Sequence, residues 1–165
     1  GAGTGGQEAA AASPLRRDVG GAVTGRVRSG PGIGKRCRFF VRGKGMAEPE
    51  SVGRRLRDAA DGNAEITRMG LGKESAAARR ALEMFVSVYG AEAGNLALRV
   101  VSTGGFYIGG GIAPKILPAL TTGLFMKAFR AKPPLDPMLS AMPVKVILNA
   151  ESGLPGAAVF AAGPR

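Results

Sequence analysis

Three consecutive glycines, Gly109-Gly110-Gly111, follow a short β-prone apolar run ending at Ile108, and Ile112 comes next. Losing every Cβ at the end of a strand lets a flat or phosphorylated ligand approach bare backbone. Unpaired N–H groups at the start of a following helix would favour an anion. Gly109, Gly110 and Gly111 are therefore the candidate ligand-binding residues, although tight turns and helix–sheet packing use glycine too. A second glycine cluster, Gly30 to Lys35, fails as a phosphate loop at both ends. That loop needs glycine five residues before Gly34 and Ser or Thr after Lys35, where this chain has Ser29 and Arg36. The chain has no histidine, which excludes Ser–His and Cys–His nucleophile pairs and zinc sites with histidine ligands. No catalytic residue and no metal-ligating set is read from the spacing. Cys37 is the single cysteine, so no internal disulfide can form and a reducing compartment is compatible.

The elements that must position the glycine corner are legible around it. Leu82, Phe85, Val86, Tyr89, Ala93, Leu96 and Val100 recur every three or four residues and predict one amphipathic helix from Ser75 to about Val101. Its length would be about 40 Å. Gly90 and Gly94 lie inside it on one face, where another backbone could pack closely. Thr103–Ile108 reads as a buried strand that runs through the glycines directly into a helix with Pro114 in its first turn, ending near Leu120. Further helical segments are expected at Leu124–Arg130 and Pro137–Ala141. A strand follows at Val144–Leu148, then a terminal helix of small residues at Gly153–Ala162. Upstream, Ser51 is a fair N-cap for a helix to about Ala60, ended by Asp61-Gly62-Asn63, and Ala64–Met69 is another short helix. Residues 23–28 alternate weakly as a strand, Ser29–Gly32 has turn chemistry, and Lys35–Gly45 is ambiguous. Strands alternating with helices argue an α/β layered domain, and no repeat is evident.

A chain of 165 residues with 45% apolar content suits one ordinary domain. Its most apolar stretch, Ala81–Val101, is interrupted by Glu83, Glu92 and Arg99, so no membrane span is expected. Residues 1–22, rich in Gly, Ala and Ser, read as a loosely held arm. The opening Gly, in place of Met, suggests a processed, truncated or fragmentary product. The net charge of +11 is uneven: residues 1–46 hold nine basic groups against Glu8 and Asp18. Such a stretch attracts a polyanion such as nucleic acid, or is simply a solvated basic arm.

The stretch Ile66–Pro118 resembles the bacterial glucokinase family, within the sugar kinase and actin-like ATPase superfamily. The residues that carry this are Ile66-Thr67-Arg68, Ala81-Leu82-Glu83-Met84-Phe85, the run from Tyr89 to Leu98, and Gly109 to Pro118. The likeness extends more loosely over residues 26–165, through Ser29-Gly30-Pro31-Gly32, Met142–Val146 and Gly153–Ala158. It implies the C-terminal part of a ribonuclease H-like α/β domain, an incomplete sheet packed by a long helix, over residues 26–165 behind a basic arm of residues 1–25. It implies ATP-dependent phosphorylation of glucose to glucose 6-phosphate, ATP and glucose as ligands, Mg2+ carried with the nucleotide, a cytoplasmic location and a possible homodimer. It also makes Gly109, Gly110, Gly111 and Ile112 the segment that packs against adenosine.

The departures point the other way. The family's glycine-rich phosphate segment and catalytic aspartate have no counterpart here. Gly25 stands where a sugar-binding glutamate is expected, and Thr4-Gly5-Gly6-Gln7 is a degraded echo of the Glu-Gly-Gly-His sugar motif. After Ile33 a neutral helix gives way to Gly34-Lys35-Arg36-Cys37-Arg38. The expectation is a chain that supplies the adenosine side and is inactive alone. Two alternatives stand beside it: a basic polyanion-binding module on a degenerate kinase half-fold, or a degenerate product with no independent role.

Overall fold

The computed structural model describes residues 30–43, 49–149 and 151–163. The expected strand at 23–28, the arm of residues 1–25, Thr4–Gln7 and Gly25 lie outside them. The chain divides into two compact units, one up to Val86 and the other from Ser87.

In the first unit, α1 (Gly30–Arg38) continues into a single π-helical turn, Phe39–Gly43, followed by α2 (Glu50–Asp58) and α3 (Gly62–Leu71). Helix therefore replaces the turn expected from Gly30 to Gly32, because proline and glycine are tolerated in a first turn whose N–H groups have no partner anyway. The amide of Gly34 donates to Asn63 Oδ1 at 3.1 Å, tying α1 to α3. α2 begins two residues earlier than a Ser51 cap allows, with Pro49 in the cap position and Ser51 inside the helix. Asp61 does not merely end α2. Its carboxylate accepts from the amides of Asn63 and Ala64 at 2.9 and 3.2 Å, and so starts α3. Arg55 of α2 donates to Glu65 and Glu74, and Arg68 donates to the same two carboxylates. These hydrogen bonds raise the Arg55 pKa, Glu74 contributing most. All four side chains are partly or largely exposed, so the network orients the segments more than it stabilises them.

The long helix, α4, spans Ala76–Val100, and the division between the units falls within it. Buried Ser75 caps it: Oγ accepts from the Ala78 amide at 2.9 Å. The apolar stripe holds from Leu82 to Ala93 and then fails. Leu96 and Val100 are exposed while Ala97 is fully buried. The buried face here is made of Gly90, Ala93, Gly94 and Ala97, small residues that a reading based on bulk hydrophobicity passes over.

In the second unit the order is β1 (Phe106–Ile108), α5 (Leu117–Leu120), α6 (Leu124–Arg130), α7 (Asp136–Ala141), β2 (Val144–Val146) and α8 (Gly153–Ala161). The strands pair in parallel, with Phe106 opposite Val144, Tyr107 opposite Lys145 and Ile108 opposite Val146, so the described residues form an α/β arrangement with a two-stranded sheet. β1 is three residues shorter than expected and is not buried throughout, since Tyr107 faces solvent. β2 likewise stops at Val146, two residues early. The helix α6 packs against α4 at van der Waals limits. A Cβ on Gly90 would overlap the carbonyl oxygen of Phe125, and one on Gly94 that of Phe129. Phe125 and Phe129 are buried behind that seam, and Tyr89 sets its ring edge-on to Phe125 at 5.7 Å.

Candidate functional site

The glycine corner hangs from the end of β1. The Ile147 amide donates to the Ile108 carbonyl at 2.9 Å, closing the parallel ladder just before Gly109. Gly110 then takes φ +99°, a backbone conformation strongly disfavoured for any residue with a Cβ. A Cβ on Gly110 or Gly111 would meet nothing within 4 Å, and one on Gly109 would only touch Ile147 Cδ1 at 3.6 Å. All three glycines are exposed, and Ile112 beside them is 38% exposed. Behind this open corner the chain is anchored: Ala113 and Ile116 are buried, and the Ile116 amide donates to the Ile112 carbonyl at 3.2 Å. The four expected site residues are thus contiguous, accessible and held from one side.

One expectation about this corner fails. The strand does not run directly into a helix at Pro114. Residues 111–116 form turns, and α5 begins only at Leu117, with Pro118 in its first turn. The reason is covalent. A helix begun at Pro114 would need an amide hydrogen from Pro118, which has none, and the Pro118 ring would strike the Pro114 carbonyl. The corner therefore lacks an adjacent helix N-terminus, and what it offers is bare backbone. A flat group suits that surface better than a bare phosphate.

Alternation along β1 identifies neighbours that the linear reading missed. Phe106 and Ile108 face the core, where the Phe106 ring lies 5.9 Å from that of Phe129, so Tyr107 and Gly109 share the opposite face. Register places Lys145 beside Tyr107, with Nζ 5.8 Å from the ring centroid, and Ile147 beside Gly109. Tyr107, Lys145 and Ile147 thus border the corner. The available signal was the period of two, but it needed the partner strand and its register.

Among the described residues, no three His, Cys, Asp or Glu side chains stand close enough to hold a metal ion. No helix among them is long and apolar enough to cross a membrane. The basic stretch invoked for polyanion binding lies mostly outside the described residues, which include only 30–43 of it.

Comparison with known proteins gives a consistent answer. A family profile described as Glucokinase matches residues 2–164. Among curated relatives, the glucokinase of Nostoc punctiforme is 40% identical over 147 residues, which cover 83% of this chain and 43% of the relative. That of Synechocystis sp. is 53% identical over 85 residues, covering 52% and 24% respectively. The crystal structure of glucokinase from an Antarctic psychrotroph superposes with a TM-score of 0.80 at 26% identity, over 99% of this chain and 48% of that one. The chain spans less than half the length of each of these proteins.

Proposed function

Since the chain belongs to the glucokinase family, we propose that it is the C-terminal, nucleotide-side portion of a kinase that phosphorylates glucose at the expense of ATP. In this reading Gly109, Gly110, Gly111 and Ile112 pack against adenosine. The observation that carries it is the bare corner itself: a positive φ at Gly110, nothing within 4 Å above Gly110 or Gly111, and an exposed Ile112 beside them. A flat base can lie on backbone there with an apolar side chain at its edge. Mg2+ would arrive on the nucleotide's phosphates, since the described acidic groups do not converge on a metal position. When bound, it would neutralise charge developing on the transferred phosphoryl group. This chain's own residues then hold the base end of the nucleotide and fix where its phosphates point.

Phosphoryl transfer is mainly positioning and charge stabilisation, and it needs a base for the sugar hydroxyl and a cradle for the phosphates. The sequence shows no counterpart of either, and the sugar ligands are degraded as well: Gly25 stands at the sugar-glutamate position and Thr4–Gln7 lacks the motif's Glu and His. The chain alone is therefore expected to bind nucleotide without turning over glucose. Calorimetric titration with ATP tests the first part, and Gly110→Val should weaken affinity by about tenfold or more, equivalent to ~1.4 kcal/mol. An unchanged affinity would reject the adenosine assignment. A coupled assay for glucose-dependent ADP formation tests the second, and robust turnover by the isolated chain would overturn the claim of inactivity.

A further inference from the structure

A nucleotide on the corner brings a polyanionic phosphate chain as well as a base. No helix N-terminus stands there to receive it, since α5 starts only at Leu117. Charge that answers the phosphates must therefore come from side chains. The sequence around the corner is one-sided in this respect. Residues 93–135 and 137–150 contain no Asp or Glu, while Arg99, Lys115, Lys127, Arg130, Lys132 and Lys145 are spread through them.

Sheet geometry ties Lys145 to the corner. It lies opposite Tyr107 in the register, and Tyr107 shares its face of β1 with Gly109. Both side chains are exposed, Tyr107 by 56%. The Lys145 ammonium stands 5.8 Å from the centroid of the Tyr107 ring, within the range of cation–π attraction. That contact draws the lysine stem off β2 and across β1, the strand that ends in the glycines. Two residues along a strand measure about 6.6 Å, a distance that a four-carbon lysine stem can span. From the ring, the ammonium reaches the level of Gly109 by side-chain rotation alone.

We propose that Lys145 receives the phosphate chain of the nucleotide, and that Tyr107 is a positioning residue that holds the ammonium over β1 beside the corner. This rests on the adenosine reading and extends it, because it sets the direction in which the phosphates leave the base. A compact ammonium on a flexible stem suits that task, since it pairs with phosphate as a point charge and needs no fixed two-pronged geometry.

Calorimetric titration of the full 165-residue chain with adenosine, ADP and ATP separates base binding from phosphate binding. In the parent, affinity should rise from adenosine to ATP, and ATP affinity should fall as salt is added. K145M should lower ATP affinity by about tenfold, the worth of one charge-assisted contact, and flatten the salt dependence. Its adenosine affinity should stay within about twofold of the parent. K145R should keep most of the ATP affinity, because the charge remains. Y107F keeps the ring and should behave as the parent, whereas Y107L should lose about threefold for ATP and nothing for adenosine. A merely structural role for either residue would weaken both ligands together. Unchanged ATP affinity in K145M, a loss shared equally by adenosine, or a loss that follows K115M instead overturns the assignment. Failure of the base site reads differently: a parent that does not bind adenosine, or Gly110→Val with adenosine affinity intact, removes the adenosine reading and the phosphate assignment with it.

Discussion

Gly90 and Gly94 on α4 and Gly109–Gly111 after β1 are the same residue put to opposite uses. At the helix pair the missing Cβ volume is taken by the protein's own backbone, the carbonyl groups of Phe125 and Phe129. At the corner the missing volume is left empty, and Gly110 adds a backbone conformation that other residues resist. In the sequence both are glycine-containing stretches within one region of family resemblance. What separates a packing glycine from one left open to a ligand is what a methyl group would meet. The first class predicts loss of stability on substitution and the second predicts loss of ligand.

Gly90→Ala gives the largest expected effect. In an open helix this change stabilises by about 1 kcal/mol, because alanine is the better helix former. Here the new methyl would overlap a main-chain oxygen and lie 2.9 Å from the carbonyl carbon of Phe125, where no side chain can rotate away. Overpacking of that kind costs about 1–3 kcal/mol and occasionally more. Net destabilisation of about 2 kcal/mol is expected, read as a lower urea midpoint with unchanged slope. Gly94→Ala should follow closely and slightly behind, since its methyl lies farther, 3.2 Å, from the Phe129 carbonyl carbon. A stabilised Gly90→Ala variant would mean that the seam is open, and the contrast with the corner would dissolve.

At the corner the two middle glycines divide strain from binding. Gly110→Ala must hold a Cβ at φ +99° and should lose about 1–2 kcal/mol of stability along with ATP affinity. Gly111→Ala carries no such strain and meets nothing within 4 Å, so its unfolding midpoint should stay within about 0.5 kcal/mol of the parent. Its ATP affinity should still fall severalfold in a calorimetric titration. If Gly111→Ala bound ATP as the parent does, the open space there would not be where the base lies.

The elements that could be read from the chain were those whose determinants are local. The run Leu124–Arg130 and the long helix appear within one residue of expectation, because period and flanking glycines or serine fix them. The pairing face at Gly90 and Gly94 was legible from a spacing of four. The delayed start of α5 depended on a clash between Pro118 and the Pro114 carbonyl, a relation between two residues that each look acceptable in a first turn. Exposure of Leu96 and Val100 depended on which face α6 occupies, and that face is lined with alanine and glycine. The four corner residues were legible because they are consecutive. Tyr107, Lys145 and Ile147 were not, because their proximity is created by strand register across three intervening helices.

The mildest prediction tests how dry the closed seam is. Tyr89 precedes Gly90, sits half-buried with its ring edge-on to Phe125, and has its pKa raised above the ordinary value of 10 by burial. Burial disfavours the phenolate, so the folded state holds the proton at a pH where the unfolded chain has begun to release it. Stability from this group is therefore level below pH 10 and falls as the pH rises through 10 towards the folded-state value. Tyr89→Phe removes that titration but keeps the ring contact with Phe125. Urea midpoints of parent and Tyr89→Phe should accordingly run in parallel from pH 7 to 9 and separate above pH 10, with the parent falling more steeply. The separation should be smaller than the effect of either seam glycine, because the Tyr89 side chain is only partly buried. Parallel curves up to pH 11 would show that water reaches Tyr89 as freely in the folded chain as in the unfolded one. The seam would then resemble the open corner, and the glycines of α4 would need a different explanation.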